Sequence, residues 1–126
     1  MNSRFILIVD DSVTNQVFLD ALLKEEGYRT KTAGNAVEAF DILKNDVPQL
    51  ILLDLLMPRK NGFELLSEIK ENDRLKNIPV IVVSAVDEVA YKERCYSMGV
   101  DDFFVKPIDI EAFLRTVAKY TNLNQK

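Results

Sequence analysis

Leu50-Ile51-Leu52-Leu53-Asp54-Leu55-Leu56-Met57 is an apolar run broken by a single carboxylate. Four consecutive aliphatic residues suit a strand covered on both faces, the situation inside a parallel sheet. A carboxylate among leucines is tolerated only with a partner or an opening to solvent. Asp54 therefore reads as the place where a buried strand emerges onto a working surface. Two other stretches, Phe5 to Val9 and Ile78 to Val83, are also continuously apolar, which predicts three central strands. Tyr28 to Thr32 alternates with Arg29 and Lys31, and Phe103 to Val105 is very short, so these two are expected at the sheet edges.

Between the strands, apolar residues recur at helical intervals. The predicted core stripes are Val17, Phe18, Ala21 and Leu22; Ala36, Ala39, Phe40 and Leu43; Leu65, Leu66 and Ile69; and Ile110, Phe113, Leu114 and Val117. A further helix, Glu88 to Met98, spreads Val89, Ala90, Tyr91, Cys95 and Met98 around its axis, so part of it is expected to face a partner. Asp87 and Asp109 are the expected N-caps, and Gly27 and Gly99 the expected helix stops. The pattern is (βα)5, a doubly wound α/β domain with a parallel five-stranded sheet. Right-handed crossovers and three central strands give the order 2-1-3-4-5. Ligands of such sheets bind beyond the carboxyl ends of the strands, where the strand order reverses.

Composition removes most other classes. The 126 residues make one domain, 48% hydrophobic and 29% charged, with no tract, repeat or linker that divides the chain. Sixteen Lys and Arg face 20 Asp and Glu, so there is no basic stripe for direct nucleic-acid binding. With no His and one Cys, Ser-His-Asp and Cys-His catalysis, zinc sites built on thiolates and imidazoles, and an internal disulfide are all unavailable. Cys95 is expected to be a buried or half-buried thiol. The apolar stretch after Arg4 is too short for a signal peptide, and no run reaches the length of a membrane span. The expected location is the cytoplasm, without membrane insertion.

The strands hand over a consistent set of side chains. Strand 1 ends in Asp10 and Asp11, strand 3 in Asp54, strand 4 in Ser84, and strand 5 in Lys106 followed by Pro107. Singly, each has a bland explanation: Asp11 or Ser12 as a helix cap, Ser84 as a loop hydroxyl, Lys106 as a solvated cation. Their coincidence on one rim points to chemistry. Three gathered carboxylates either raise some of their pKa values or bind a cation. Without thiolate or imidazole, the fitting ion is a hard one, Mg2+. A lysine and a hydroxyl opposite it complete a clamp for phosphoryl oxygens, and an Asp carboxylate can act as nucleophile.

These residues resemble the receiver domains of bacterial two-component response regulators, the CheY-like family with flavodoxin-type strand order, from Arg4 to Tyr120. The motifs are Val9-Asp10-Asp11, Asp54-Leu-Leu-Met-Pro58 with Gly62 eight residues after Asp54, Val83-Ser84-Ala85, and Gly99-Val-Asp-Asp-Phe-Phe-Val-Lys-Pro107. By that resemblance Asp54 is the phosphoacceptor. Asp11, Asp54 and the backbone carbonyl of Leu56 bind the metal directly, and Asp10 binds it through water. Ser84 bonds the phosphoryl group. Lys106 pairs with Asp54 before reaction and with a phosphoryl oxygen after it, and the Lys106–Pro107 bond is cis. Phe103 occupies the aromatic switch position, where Phe lacks the hydroxyl of the frequent Tyr.

The resemblance implies transfer of a phosphoryl group to Asp54 from a sensor histidine kinase or phosphotransfer protein. Ser84 then moves inward, Phe103 fills the vacated space, and the face made by the fourth helix, fifth strand and fifth helix changes for a downstream protein target. The positions that influence hydrolysis hold Leu56 and Val86, both apolar, which predicts a long-lived aspartyl phosphate. Catalysis would be confined to the chain's own phosphorylation and dephosphorylation, and the protein would be a monomer or a phosphorylation-dependent dimer. With only Thr121 to Lys126 after the last helix, residues 1–126 are expected to be a single receiver domain without an output domain. Two alternatives use the same residues differently. A haloacid-dehalogenase-like phosphatase would make Asp10 the nucleophile, but its usual acid two residues later is Ser12 here. A receiver-like binding module would keep the fold without phosphorylation.

Overall fold

The computed structural model describes residues 4–56 and 62–121. Strands and helices alternate as β1 (Ile6–Val9), α1 (Val13–Glu25), β2 (Thr30–Ala33), α2 (Ala36–Asn45), β3 (Leu50–Leu53), α3 (Gly62–Glu71), β4 (Val80–Ser84), α4 (Val89–Ser97), β5 (Asp102–Val105) and α5 (Ile110–Thr121). All strand pairs are parallel, in the order β2-β1-β3-β4-β5, so the (βα)5 arrangement, the order and the two edge strands are as expected.

Alternation along the central strands divides the core into two layers. Leu7, Val9, Ile51, Leu53, Val80 and Val82 meet α2, α3 and Cys95 of α4 on one face. Ile6, Ile8, Leu50, Leu52, Ile81 and Val83 meet Leu19 and Leu23 of α1 with Phe113 and Val117 of α5 on the other. The parallel register pairs Val9 with Leu53 and Ser84 with Val105, which brings the carboxyl ends of the strands level. Asp10, Asp54, Ser84 and Lys106 consequently leave the sheet along one edge.

Several expectations need correction. The core stripe of α1 is Leu19 and Leu23, with Leu22 partly buried beside them as expected; Val17 is 61% exposed and Phe18 43% exposed, and Ala21 also faces outward. Val17-Phe18-Leu19-Asp20-Ala21-Leu22-Leu23 is apolar nearly all round, so spacing alone does not choose between two adjacent stripes, and the sheet makes that choice. Strand β2 starts at Thr30 rather than Tyr28 because the Tyr28 N–H is already donated to the Leu23 carbonyl (3.1 Å). That bond belongs to a helix stop at Gly27, whose φ of +94° favours glycine. Gly99 ends α4 in the same way, with φ of +98°. Strand β4 starts at Val80, since the Ile78 N–H closes a turn on Leu75. Asp87 does not cap α4: the N-cap is Glu88, without a side-chain bond, and Asp87 pairs with Lys92. Asp109 does act as expected, its Oδ1 accepting from the Ala112 N–H at 3.2 Å. Cys95 is a free, fully buried thiol.

Candidate functional site

Asp54 follows β3, and its N–H donates to the Val9 carbonyl (2.9 Å), which ties it to the end of β1. Its residue is 8% exposed, and Oδ1 accepts the Leu56 N–H at 3.0 Å. Asp10, 2% exposed, is held by the Ser12 N–H on Oδ1 (2.9 Å), while Gln16 donates to its backbone carbonyl (2.6 Å). Ser12 caps α1, accepting from the Asn15 N–H at 3.2 Å. Asp11 is exposed, yet one carboxylate oxygen from each of Asp10, Asp11 and Asp54 lies within 4.8 Å of the others.

Lys106 joins two of these acids. Its N–H donates to the Ser84 carbonyl (2.8 Å) at the end of the β4–β5 ladder, and the Lys106–Pro107 peptide is cis. Its Nζ lies 3.1 Å from Asp54 Oδ2 and 3.1 Å from Asp10 Oδ2. The second contact has no sequence signal, because nothing in the spacing from residue 10 to residue 106 specifies which carboxylate a lysine meets. Burial pushes the Asp54 carboxyl above its ordinary value, against the opposing pull of the Leu56 N–H and Lys106. Burial disfavours charge on Lys106 as well, but the hydrogen bond and charge of Asp54, reinforced by Asp10, raise its pKa.

Ser84 is fully buried, and its Oγ accepts from the Val86 N–H at 3.1 Å, so Ser84 stands at the rim with its oxygen turned to its own loop. Phe103 is partly buried against the core layer of α2 and α3. Leu56 is 53% exposed and Val86 half-buried, and both flank the rim. Met57 and Pro58 lie outside the described residues. Beside Lys106 opens a cleft of about 320 Å³ lined by Asn15, Phe18, Leu19, Val83, Lys106, Pro107 and Ile108.

Gly62 braces this rim from below. Its N–H donates to the Leu55 carbonyl (3.1 Å), and a Cβ at Gly62 would lie 2.7 Å from that carbonyl oxygen and closer still to Leu55 Cα. The obstacle is backbone adjoining Asp54, which has no rotamer to yield. Gly62→Ala is therefore expected to destabilise the fold by about 1–3 kcal/mol in urea unfolding. Wild-type stability in this variant would contradict the packing.

The family model that matches is the response regulator receiver domain, over residues 6–118. The chain belongs to that family. It is 37% identical over 123 residues to sporulation initiation phosphotransferase F of Bacillus subtilis, covering 98% of this chain and 97% of that protein. It is 33% identical over 117 residues to the polar-differentiation response regulator DivK of Brucella anthropi, covering 93% and 95%. Among solved structures, the signal receiver domain of a signal transduction histidine kinase from Syntrophus aciditrophicus matches with TM-score 0.86 and 32% identity, covering 98% of this chain and 95% of that one.

This receiver domain is thus a phosphorylation-dependent signalling switch, in a signalling family and not a conventional enzyme family. The family match supports neither the phosphatase reading nor the unphosphorylated module. No described helix is long and apolar enough to cross a membrane.

Proposed function

We propose that Asp54 is the phosphoacceptor and takes its phosphoryl group from a phosphohistidine of a sensor histidine kinase or a phosphotransfer protein. One observation carries this reading: a nearly buried carboxylate with a lysine 3.1 Å from one oxygen and two further carboxylates beside it. Their hard oxygen donors, with no thiolate or imidazole among them, suit Mg2+. Asp11, Asp54 and the Leu56 carbonyl would hold the ion directly and Asp10 through water. When bound, Mg2+ supplies positive charge that offsets the charge developing on the transferring phosphoryl group.

The chain's own residues do the rest. An Asp54 oxygen attacks phosphorus in line, the P–N bond breaks, and its electron pair returns to the imidazole nitrogen. Lys106 passes from the carboxylate to a phosphoryl oxygen, and Ser84 gives up the Val86 N–H to donate to another. Phe103 follows into the space Ser84 leaves, so the surface of α4, β5 and α5 changes for a downstream protein. The cleft beside Lys106, with exposed Phe18 at its edge, gives a donor protein an approach to the rim. Catalysis is limited to the chain's own phosphorylation and dephosphorylation, in the cytoplasm, in a monomer or a phosphorylation-dependent dimer. The test is acetyl phosphate treatment with Mg2+ followed by peptide mapping. Phosphorylation at Asp54 that disappears with a chelator is expected; phosphorylation at Asp10 would overturn the assignment.

Neither Leu56 nor Val86 has a side-chain group that orients an attacking water, so the acyl phosphate is expected to be long-lived. In Leu56→Asn the new amide should speed its loss about tenfold, the worth of one good hydrogen bond of ~1.4 kcal/mol in the transition state. Timed loss of label in the two proteins measures this. A short-lived wild type that the substitution does not accelerate would count against it.

A further inference from the structure

Tyr91 sits in the first turn of α4, with its ring edge-on between Phe63 of α3 (centroids 5.5 Å apart) and Phe103 of β5 (5.9 Å). Its hydroxyl oxygen is buried and has no hydrogen-bond partner, the one such side-chain atom among the described residues. Leaving a buried hydroxyl unmet is costly, and a position that keeps one calls for an explanation. The surroundings supply it. Burial pushes the Tyr91 pKa up, the Ser84 hydroxyl pulls it back, and the Asp54 charge pushes it up again, so the phenol lies near both residues of the rim. Ser84 Oγ is occupied with the Val86 N–H. Ser84 is thus near enough to act on the phenol, but the Tyr91 oxygen makes no bond of ordinary geometry to it. The only α4 side chain buried outright is Cys95, so Tyr91 is a principal tie between this helix and the switch.

We propose that Tyr91 is a positioning residue of the switch, whose orphaned hydroxyl donates to Ser84 Oγ once Ser84 has turned to the phosphoryl group on Asp54. When Ser84 releases the Val86 N–H and donates its own proton to the phosphoryl group, its oxygen turns with both lone pairs free, and the Tyr91 O–H is the nearby donor without an obligation. The new bond satisfies a group that the unphosphorylated fold leaves unmet, so it favours the phosphorylated state and no other. Because Tyr91 rides on α4 and its ring abuts Phe103, the same bond draws the helix and the aromatic side chain together. Phe103 has no hydroxyl to report the site's state. In this chain the reporting hydroxyl is on α4.

This inference rests on the phosphorylation of Asp54, so its test keeps the two apart. Beryllofluoride with Mg2+ stands in for the phosphoryl group, and its affinity is measured by calorimetry for wild type, Tyr91→Phe, Ser84→Ala and the double variant. Tyr91→Phe should melt above the wild type without beryllofluoride, since an unmet hydroxyl has gone, yet bind beryllofluoride about five- to tenfold more weakly. In the Ser84→Ala background the same substitution should change affinity less than about twofold, because the acceptor is absent. Equal affinity of Tyr91→Phe and wild type, a lower melting point without beryllofluoride, or an undiminished effect in the Ser84→Ala background would each overturn the proposal. A wild type that neither binds beryllofluoride nor labels at Asp54 would overturn the phosphorylation reading, and this inference with it.

Discussion

Asp54→Asn is expected to reduce incorporation of phosphoryl from acetyl phosphate below detection and, at neutral pH, to raise the melting temperature. The first effect follows from removing the nucleophile. The second follows from where the charge sits: the residue is 8% exposed, and burial raises its pKa in spite of the Leu56 N–H and Lys106. A carboxyl whose folded pKa lies above its unfolded value stabilises the fold below the ordinary carboxylate range, about pH 4, and loses that contribution as pH climbs through the raised value. At pH 7 the wild type therefore holds an ionised group that the fold disfavours, next to two more acids. Asparagine has the same shape without the charge, and Lys106 keeps Asp10 at 3.1 Å. The stability gap between variant and wild type should be widest at neutral pH and narrow as the solution is acidified toward pH 4. Melting curves across that range check the sign. A variant less stable than wild type at pH 7, or one that still accepts label, would contradict the argument.

The rim was legible in the sequence because each strand that reaches it ends in a polar or charged side chain: carboxylates after β1 and β3, a hydroxyl closing β4, an ammonium group after β5. Parallel strands of nearly equal length then bring those ends level, so listing them already approximates the cluster. The α1 stripe was not legible because Val17, Phe18, Leu19, Ala21, Leu22 and Leu23 offer adjacent apolar faces of similar merit. Burial of Leu19 and Leu23 is decided by the sheet opposite. Asp87 shows the limit of reading caps: the residue type was right for an N-cap, but Lys92 holds its carboxylate. Tyr91 was visible only as an irregular apolar residue. Its meaning comes from Phe63 and Phe103, which are distant along the chain and meet it only through packing of α3, α4 and β5.

Lys106→Met should separate two roles of one cation. Nζ lies 3.1 Å from both Asp10 Oδ2 and Asp54 Oδ2, with the lysine side chain 22% exposed. Methionine keeps much of the stem and removes the charge, leaving three neighbouring carboxylates without it. Without Mg2+ the variant is expected to lose about 1–3 kcal/mol in urea unfolding, below the range for a fully buried pair because water reaches the lysine. The raised pKa of Lys106 means that its contribution is present throughout the neutral range and disappears only as pH rises past that value, so pH 7 reads the full effect. Added Mg2+ should restore stability more than it does in the wild type, because the ion no longer competes with an ammonium group for the same oxygens, and binding to the native state alone stabilises it. Labelling by acetyl phosphate should nonetheless fall about 100-fold, since a divalent ion at the carboxylates does not replace a donor aimed at the far phosphoryl oxygen. Tighter Mg2+ binding with slower labelling is a combination that a merely misfolded variant does not produce. Labelling at the wild-type rate would remove Lys106 from the reaction, and weaker Mg2+ binding would mean that the lysine organises the three acids rather than competing for them.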